Sequence, residues 1–102
     1  MSLANVLAED RRLVVLRLLS EAGFRANETV LRKGLDAFGH RVTHDLLRAD
    51  LAFLREHALV RVEELHPPSG GDLWLAHLTD AGDEVARGVT VHPGVARRGP
   101  GD

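Results

Sequence analysis

The sequence predicts an α+β domain, mainly α, with three N-terminal helices, a β-hairpin and a short closing helix, the second and third helices forming a helix-turn-helix. Three observations carry this. Leucines recur at helical spacing in three successive segments, and after Val60 the period changes to strand alternation. The two alternating runs are parted by Pro67-Pro68-Ser69-Gly70-Gly71-Asp72, which neither a helix nor a strand crosses intact.

Each element follows in order. Leu3, Leu7, Val14 and Leu18 line one face of a first helix over Ser2 to Ala22, with Ser2 as cap and Gly23 as the left-handed stop. Its second half, Leu13 to Leu19, is apolar on most sides and is expected either at the centre of the core or in a dimer seam. Phe24 to Ala26 read as a short connection. Asn27 caps a second helix over Glu28 to Phe38, with Val30, Leu31, Leu35 and Phe38 inward. After the turn Gly39 to Val42, Thr43 caps a third helix to His57 whose inward residues are Leu47, Leu51 and Leu54. Val60 to Leu65 and Leu73 to Leu78 form the hairpin, and Thr79 caps a closing helix over Asp80 to Arg87. Residues 1–88 are thus expected to form the domain and 89–102, poor in apolar residues, a flexible tail.

Composition narrows the function classes. A chain of 102 residues fits one domain and leaves no room for a separate catalytic one. The absence of cysteine excludes disulfides, thiolate zinc sites and cysteine nucleophiles. With no long apolar span, and Glu9 and Asp10 where a signal peptide would be basic, a soluble cytoplasmic protein is expected. The net charge of −2 argues against a strong sequence-independent nucleic-acid binder. Its distribution is uneven: residues 25–61 hold seven Arg or Lys against five Asp or Glu, and residues 62–102 hold three against seven.

Three pieces carry a family resemblance: Leu51-x-x-Leu54 followed by His57-Ala58-Leu59-Val60, the glycine-containing hairpin, and Leu78-Thr79-Asp80-Ala81-Gly82. Together they resemble winged-helix repressors of the MarR, ArsR and PadR kinds, although Ala58 stands where glycine is usual. More narrowly, Leu3-Ala4-x-Val6-Leu7-Ala8-Glu9-Asp10-Arg11-Arg12 and Ala37-Phe38-Gly39-His40-Arg41-Val42 are similar to short winged-helix proteins of Mu-like phages and prophages, over about residues 2 to 95. The resemblance implies the fold more strongly than an activity.

A winged helix that reads duplex DNA places its third helix in the major groove. The outward candidates are Thr43, His44, Asp45, Arg48, Ala52 and Arg55, with Arg41 in the turn as a phosphate contact. Arg48 has the fork that pairs bidentately with guanine, and Ala52 permits close approach. Alanine at Arg41 or Arg48 is expected to weaken a complex without unfolding the protein. The competing reading of Asp45, Arg48 and Arg55 is a solvated face laced by ion pairs. The hairpin tip carries no Arg or Lys, so its expected role is structural. The six histidines lack paired-ligand spacing, and neither a G-x-S-x-G, a phosphate-binding glycine loop nor a clustered carboxylate pair is present. No metal, cofactor or enzymatic activity is expected. The leading expectation is a phage-type DNA-binding regulator acting as a homodimer, with Val14, Val15, Leu18 and Trp74 in the seam. Trp74 equally suits packing of the hairpin against the helices. The alternative is a non-enzymatic module that binds a protein partner, which the acidic second half favours.

Overall fold

A computed structural model describes residues 2–97. It contains α1 (Leu3–Glu21), β1 (Arg25–Asn27), α2 (Glu28–Ala37), α3 (His44–Glu56), β2 (Val60–Leu65), β3 (Leu73–Leu78) and α4 (Asp80–Ala86). Each helix begins where a side chain can satisfy a free amide. Ser2, Asn27, Thr43 and Thr79 accept from the backbone N–H of Asn5, Val30, Leu46 and Gly82 respectively.

The hairpin of β2 and β3 pairs Val60 with Leu78 and Leu65 with Leu73. A third strand was not expected. Gly23 and Phe24 both adopt left-handed φ, 80° and 74°, and this double reversal turns the chain back from α1 so that Arg25–Asn27 pairs with Leu75–His77. The expected connection is therefore a strand, and the antiparallel sheet has the order β1-β3-β2. This is the winged helix-turn-helix arrangement, α+β and mainly helical, with one strand more than the hairpin.

Leu16 and Leu19 of α1, Leu31 and Leu35 of α2, and Leu47, Leu51 and Leu54 of α3 are fully buried, closed from the sheet side by Val60 and Ala76. Val30 and Phe38, expected inward, are instead 52% and 61% exposed. They border the shallow grooves between α1 and α2, where α1 covers them only in part.

The exit of α3 and the start of α4 are one joint. Ala58 takes the left-handed turn, with φ 59°. The Thr79 hydroxyl donates to the Ala58 carbonyl at 2.8 Å, and the Thr79 amide donates to Leu59 at 3.2 Å. Gly82 then lies so close that a Cβ there would strike the Leu59 carbonyl oxygen. The spacing Leu-Thr-x-x-Gly thus allows α4 to dock on the backbone leaving α3.

The expected tail is corrected for residues 89–97. This strap folds back across the domain: Val95 is buried, the Ala96 amide donates to Glu9 at 3.0 Å, and the Gly94 carbonyl accepts from Arg12 at 3.0 Å. Few apolar residues suffice because backbone groups and one glycine make the contacts. Residues 98–102 of the expected tail lie outside the described residues.

Two substitutions test the joint. Ala58→Gly relieves a left-handed alanine and should raise stability by about 0.5–1 kcal/mol. Gly82→Ala should lower it by about 1–3 kcal/mol through overpacking. Urea denaturation measures both.

Candidate nucleic-acid interface

The geometry of α3 is set by a buried carboxylate that begins α2. Glu28 is 1% exposed. Its two oxygens accept from Arg48 as a fork, Nε at 3.0 Å and Nη2 at 2.7 Å, and one also accepts the Trp74 amide at 2.6 Å. His44 Nδ1 lies 2.9 Å from the other oxygen. Burial alone would raise the Glu28 pKa, but Arg48, the Trp74 amide and His44 outweigh it and hold the carboxyl at about 2, below its ordinary 4.5. Arg48 also donates to the Asp72 carbonyl at 3.1 Å, and its guanidinium lies 4.9 Å from the Trp74 ring centroid. Helices α2 and α3 and the start of β3 are joined through this one node.

A second buried carboxylate fixes the other side of α3. Asp50 accepts from Nε of Arg11 and, at 3.2 Å, from Nε of Arg12. The Arg12 guanidinium in turn lies 3.9 Å from the Phe53 ring centroid. With Leu47, Asp50, Leu51 and Leu54 turned inward, the outward line of α3 is Asp45, Ala49, Ala52 and Glu56.

The expected contact residues separate into three groups. Arg41 projects freely, its side chain 93% exposed and 3.4 Å from Asp36. Thr43 and Asp45 are exposed in the first turn of α3, and Ala52 is half-buried on its outward line. Arg55 is exposed and lies beside Trp74, 5.5 Å from the ring centroid. His44 is half exposed but engaged with Glu28. Arg48 is the correction: its fork is occupied by a carboxylate of its own chain and is not presented to a base edge. Trp74 belongs to this side of the domain, beneath two guanidiniums. Val15, expected in a dimer seam, is 0% exposed and therefore part of the core.

Sequence reasoning missed a cleft beside the turn. Thr29, Arg32, Lys33, Asp36, Arg41 and Val42 line a depression of about 360 Å³. Arg32 Nε donates to the Val42 carbonyl at 3.1 Å, which ties α2 to the approach to α3. Three cations and one carboxylate thus surround an open hollow, a composition suited to an anion. The signal available in the sequence was the pair Arg32-Lys33 one helical turn after the Asn27 cap. At the hairpin tip, His66 faces Asp72 at 2.8 Å, and the loop residues 66–72 include no Arg or Lys. Among the described residues no cluster of metal-ligating side chains occurs, and no helix is long and apolar enough to cross a membrane.

The chain is 41% identical over 96 residues to the uncharacterized protein gp26 of Escherichia phage Mu, a match covering 94% of this chain and 95% of that protein. An uncharacterized protein of Haemophilus influenzae is 48% identical over 65 residues, 64% of each, so this chain spans just under two thirds of that relative. No family model matches. Among solved structures, F93 from STIV, a winged-helix DNA-binding protein, is similar with a TM-score of 0.57 over 76% of this chain and 79% of that one, at 22% identity. That likeness establishes the winged-helix fold.

Because Arg48 neutralises a buried carboxylate, Arg48→Ala should destabilise the domain by roughly 3–5 kcal/mol, in contrast to the expectation from sequence. Glu28 also contributes an acid dependence. Its folded pKa lies below the unfolded value, so the stabilisation is complete above pH 4.5 and is lost as pH falls towards about 2. The loss should reach about 3 kcal/mol in the wild type and be absent from Glu28→Gln. Chemical denaturation across that acid range measures it.

Proposed function

The chain belongs to the family of the phage Mu protein gp26, and we propose that it is a non-enzymatic, duplex-DNA-binding regulator that acts as a homodimer in the cytoplasm. The single observation that carries this reading is the cationic cleft of Arg32, Lys33 and Arg41 beside the exposed first turn of α3. In this fold the third helix approaches the major groove, so the cleft would meet the phosphate backbone while Thr43, Asp45, Ala49 and Ala52 approach the bases. The DNA-binding description of the STIV protein supports the same reading. With Arg48 withdrawn into the node, phosphate contacts supply most of the affinity, and base discrimination depends on the small outward side chains and Arg55. A net charge of −2 leaves a single domain with modest attraction for DNA, and two domains acting together offset that weakness.

The second reading is a winged helix whose α3 meets a protein partner. Asp45 and Glu56 on the outward line and the cation-free hairpin tip favour it.

A duplex enriched from a random library by the wild type distinguishes the two. Lys33→Ala and Arg41→Ala should each weaken its binding several-fold and lower the slope of log affinity against log salt by about 1, with unchanged thermal melting. Enrichment of no duplex at low salt removes the DNA reading.

A further inference from the structure

The strap of residues 89–97 is held down by a bond that exists in only one protonation state. Gly94 is engaged through both of its backbone groups: its carbonyl accepts from Arg12 at 3.0 Å, and its amide donates to His92 Nδ1 at 3.1 Å. An imidazole nitrogen that accepts carries no proton, so this bond requires neutral His92 with its proton on Nε2. Protonation places a hydrogen on Nδ1, facing the Gly94 N–H, and turns the acceptor into a donor. The bond is then lost, and two donors oppose each other at the turn that carries the strap back to α1.

The surroundings give the resulting charge no counterpart. His40, His44, His66 and His77 each stand within 3.0 Å of a carboxylate oxygen, whereas among the described residues neither His92 nor His57 does. Half-buried His92 instead meets the His57 ring edge-on, centroids 4.6 Å apart, and Arg12 brings a permanent positive charge to the Gly94 carbonyl. The acids on the elements packed against the strap are otherwise engaged or turned out. Asp50 on α3 accepts from Arg11 and Arg12, and Glu9 on α1 meets the strap through its backbone carbonyl, which accepts from Ala96. Glu84 on α4 accepts from Thr90, and Glu56, next to His57 in sequence, is exposed. Burial, the His57 ring and Arg12 together hold the His92 pKa below its ordinary 6.5.

We infer that His92 is a proton-sensitive latch: with its imidazole neutral the strap lies closed over Phe53 and the end of α3, and on protonation the strap releases. The closed strap disfavours the proton and the released strap does not. Docking is therefore complete above about pH 6.5 and is lost as pH falls from there through the lowered value. The node that sets α3 is untouched over this range, since Glu28, with a pKa of about 2, stays charged. The latch goes beyond the proposed function and does not depend on whether α3 meets DNA.

Hydrogen exchange of the full chain between pH 8 and 5, with rates corrected for the intrinsic pH dependence of exchange, reads the latch. Protection of the Val95 and Ala96 amides should fall roughly tenfold or more, while that of Leu51 and Leu54 stays constant. Asparagine offers an uncharged oxygen to an amide two residues on, as in an Asx-turn, so His92→Asn should keep the strap protected at pH 5. His57→Gln removes an opposing charge and leaves the Gly94 bond, so it should lessen the fall. Nitrogen-15 shifts of wild-type His92 should show Nδ1 gaining its proton over the same interval in which Ala96 loses protection. Strap protection that is unchanged from pH 8 to 5, is lost equally in His92→Asn, or falls in parallel with that of α3 overturns the latch. If the His92→Asn strap fails to dock even at pH 8, the other two measurements decide: a fall undiminished in His57→Gln, or Nδ1 protonation without loss of protection, overturns it.

Discussion

A carboxylate withdrawn from water at the start of α2 governs how the parts of this domain meet. Glu28 is tolerable in the interior only because a guanidinium fork, a backbone amide and an imidazole converge on its two oxygens. Each donor comes from outside α2, two from α3 and one from β3. Relative to well-packed apolar side chains in the same place, an ion pair of this kind adds little stability, although breaking it by removing one partner is costly. Its larger effect is on geometry, because the partners must meet in one arrangement or leave a charge unpaired. The angle between the second and third helices and the placement of the wing strand are thereby coupled.

That coupling changes the chemical character of the exposed surface. The arginine with the best geometry for a base edge is used internally, and the outward line of α3 is left with two small side chains between two acids. Positive charge is concentrated one element earlier, on α2 and the turn. Such a distribution suits gripping a backbone more than reading a sequence, since phosphate contacts orient a protein while base edges carry the information. Two-fold repetition of a modest grip is consistent with that division, because linked sites add affinity without new kinds of contact.

Much of the fold was legible in the sequence. The caps Ser2, Asn27, Thr43 and Thr79, the leucine spacing and the change of period at Val60 are local signals, and the structure follows them to within a residue or two. What escaped depends on distant partners. Three residues of β1 are too few to display alternation, and they become a strand only by pairing with β3. At the first position of a helix, Glu28 looks like an exposed acid favoured by the helix dipole, and nothing near it in sequence reveals Arg48 or Trp74. Val30 and Phe38 fit an amphipathic pattern, but the neighbouring α1 covers only part of that face. Of the candidate site, the exposure of Arg41 and of the first turn of α3 was legible, while the engagement of Arg48 with Glu28 was not.

The strap over the end of α3 determines where this protein stops being divisible. The His57 ring lies tilted against Phe53, centroids 4.4 Å apart, and edge-on to His92 at 4.6 Å, while Arg12, over the Phe53 ring, donates to the Gly94 carbonyl. A Cβ at residue 94 would collide with the Phe53 ring, so the chain passes there only as glycine. Cutting at Gly88 would remove one of the groups that hold Arg12 and open Phe53 and Val95's site to water. A chain cut at Gly88 would accordingly lack part of its interior, and amide protons along residues 94–96 should exchange with those of the core rather than as a fraying end.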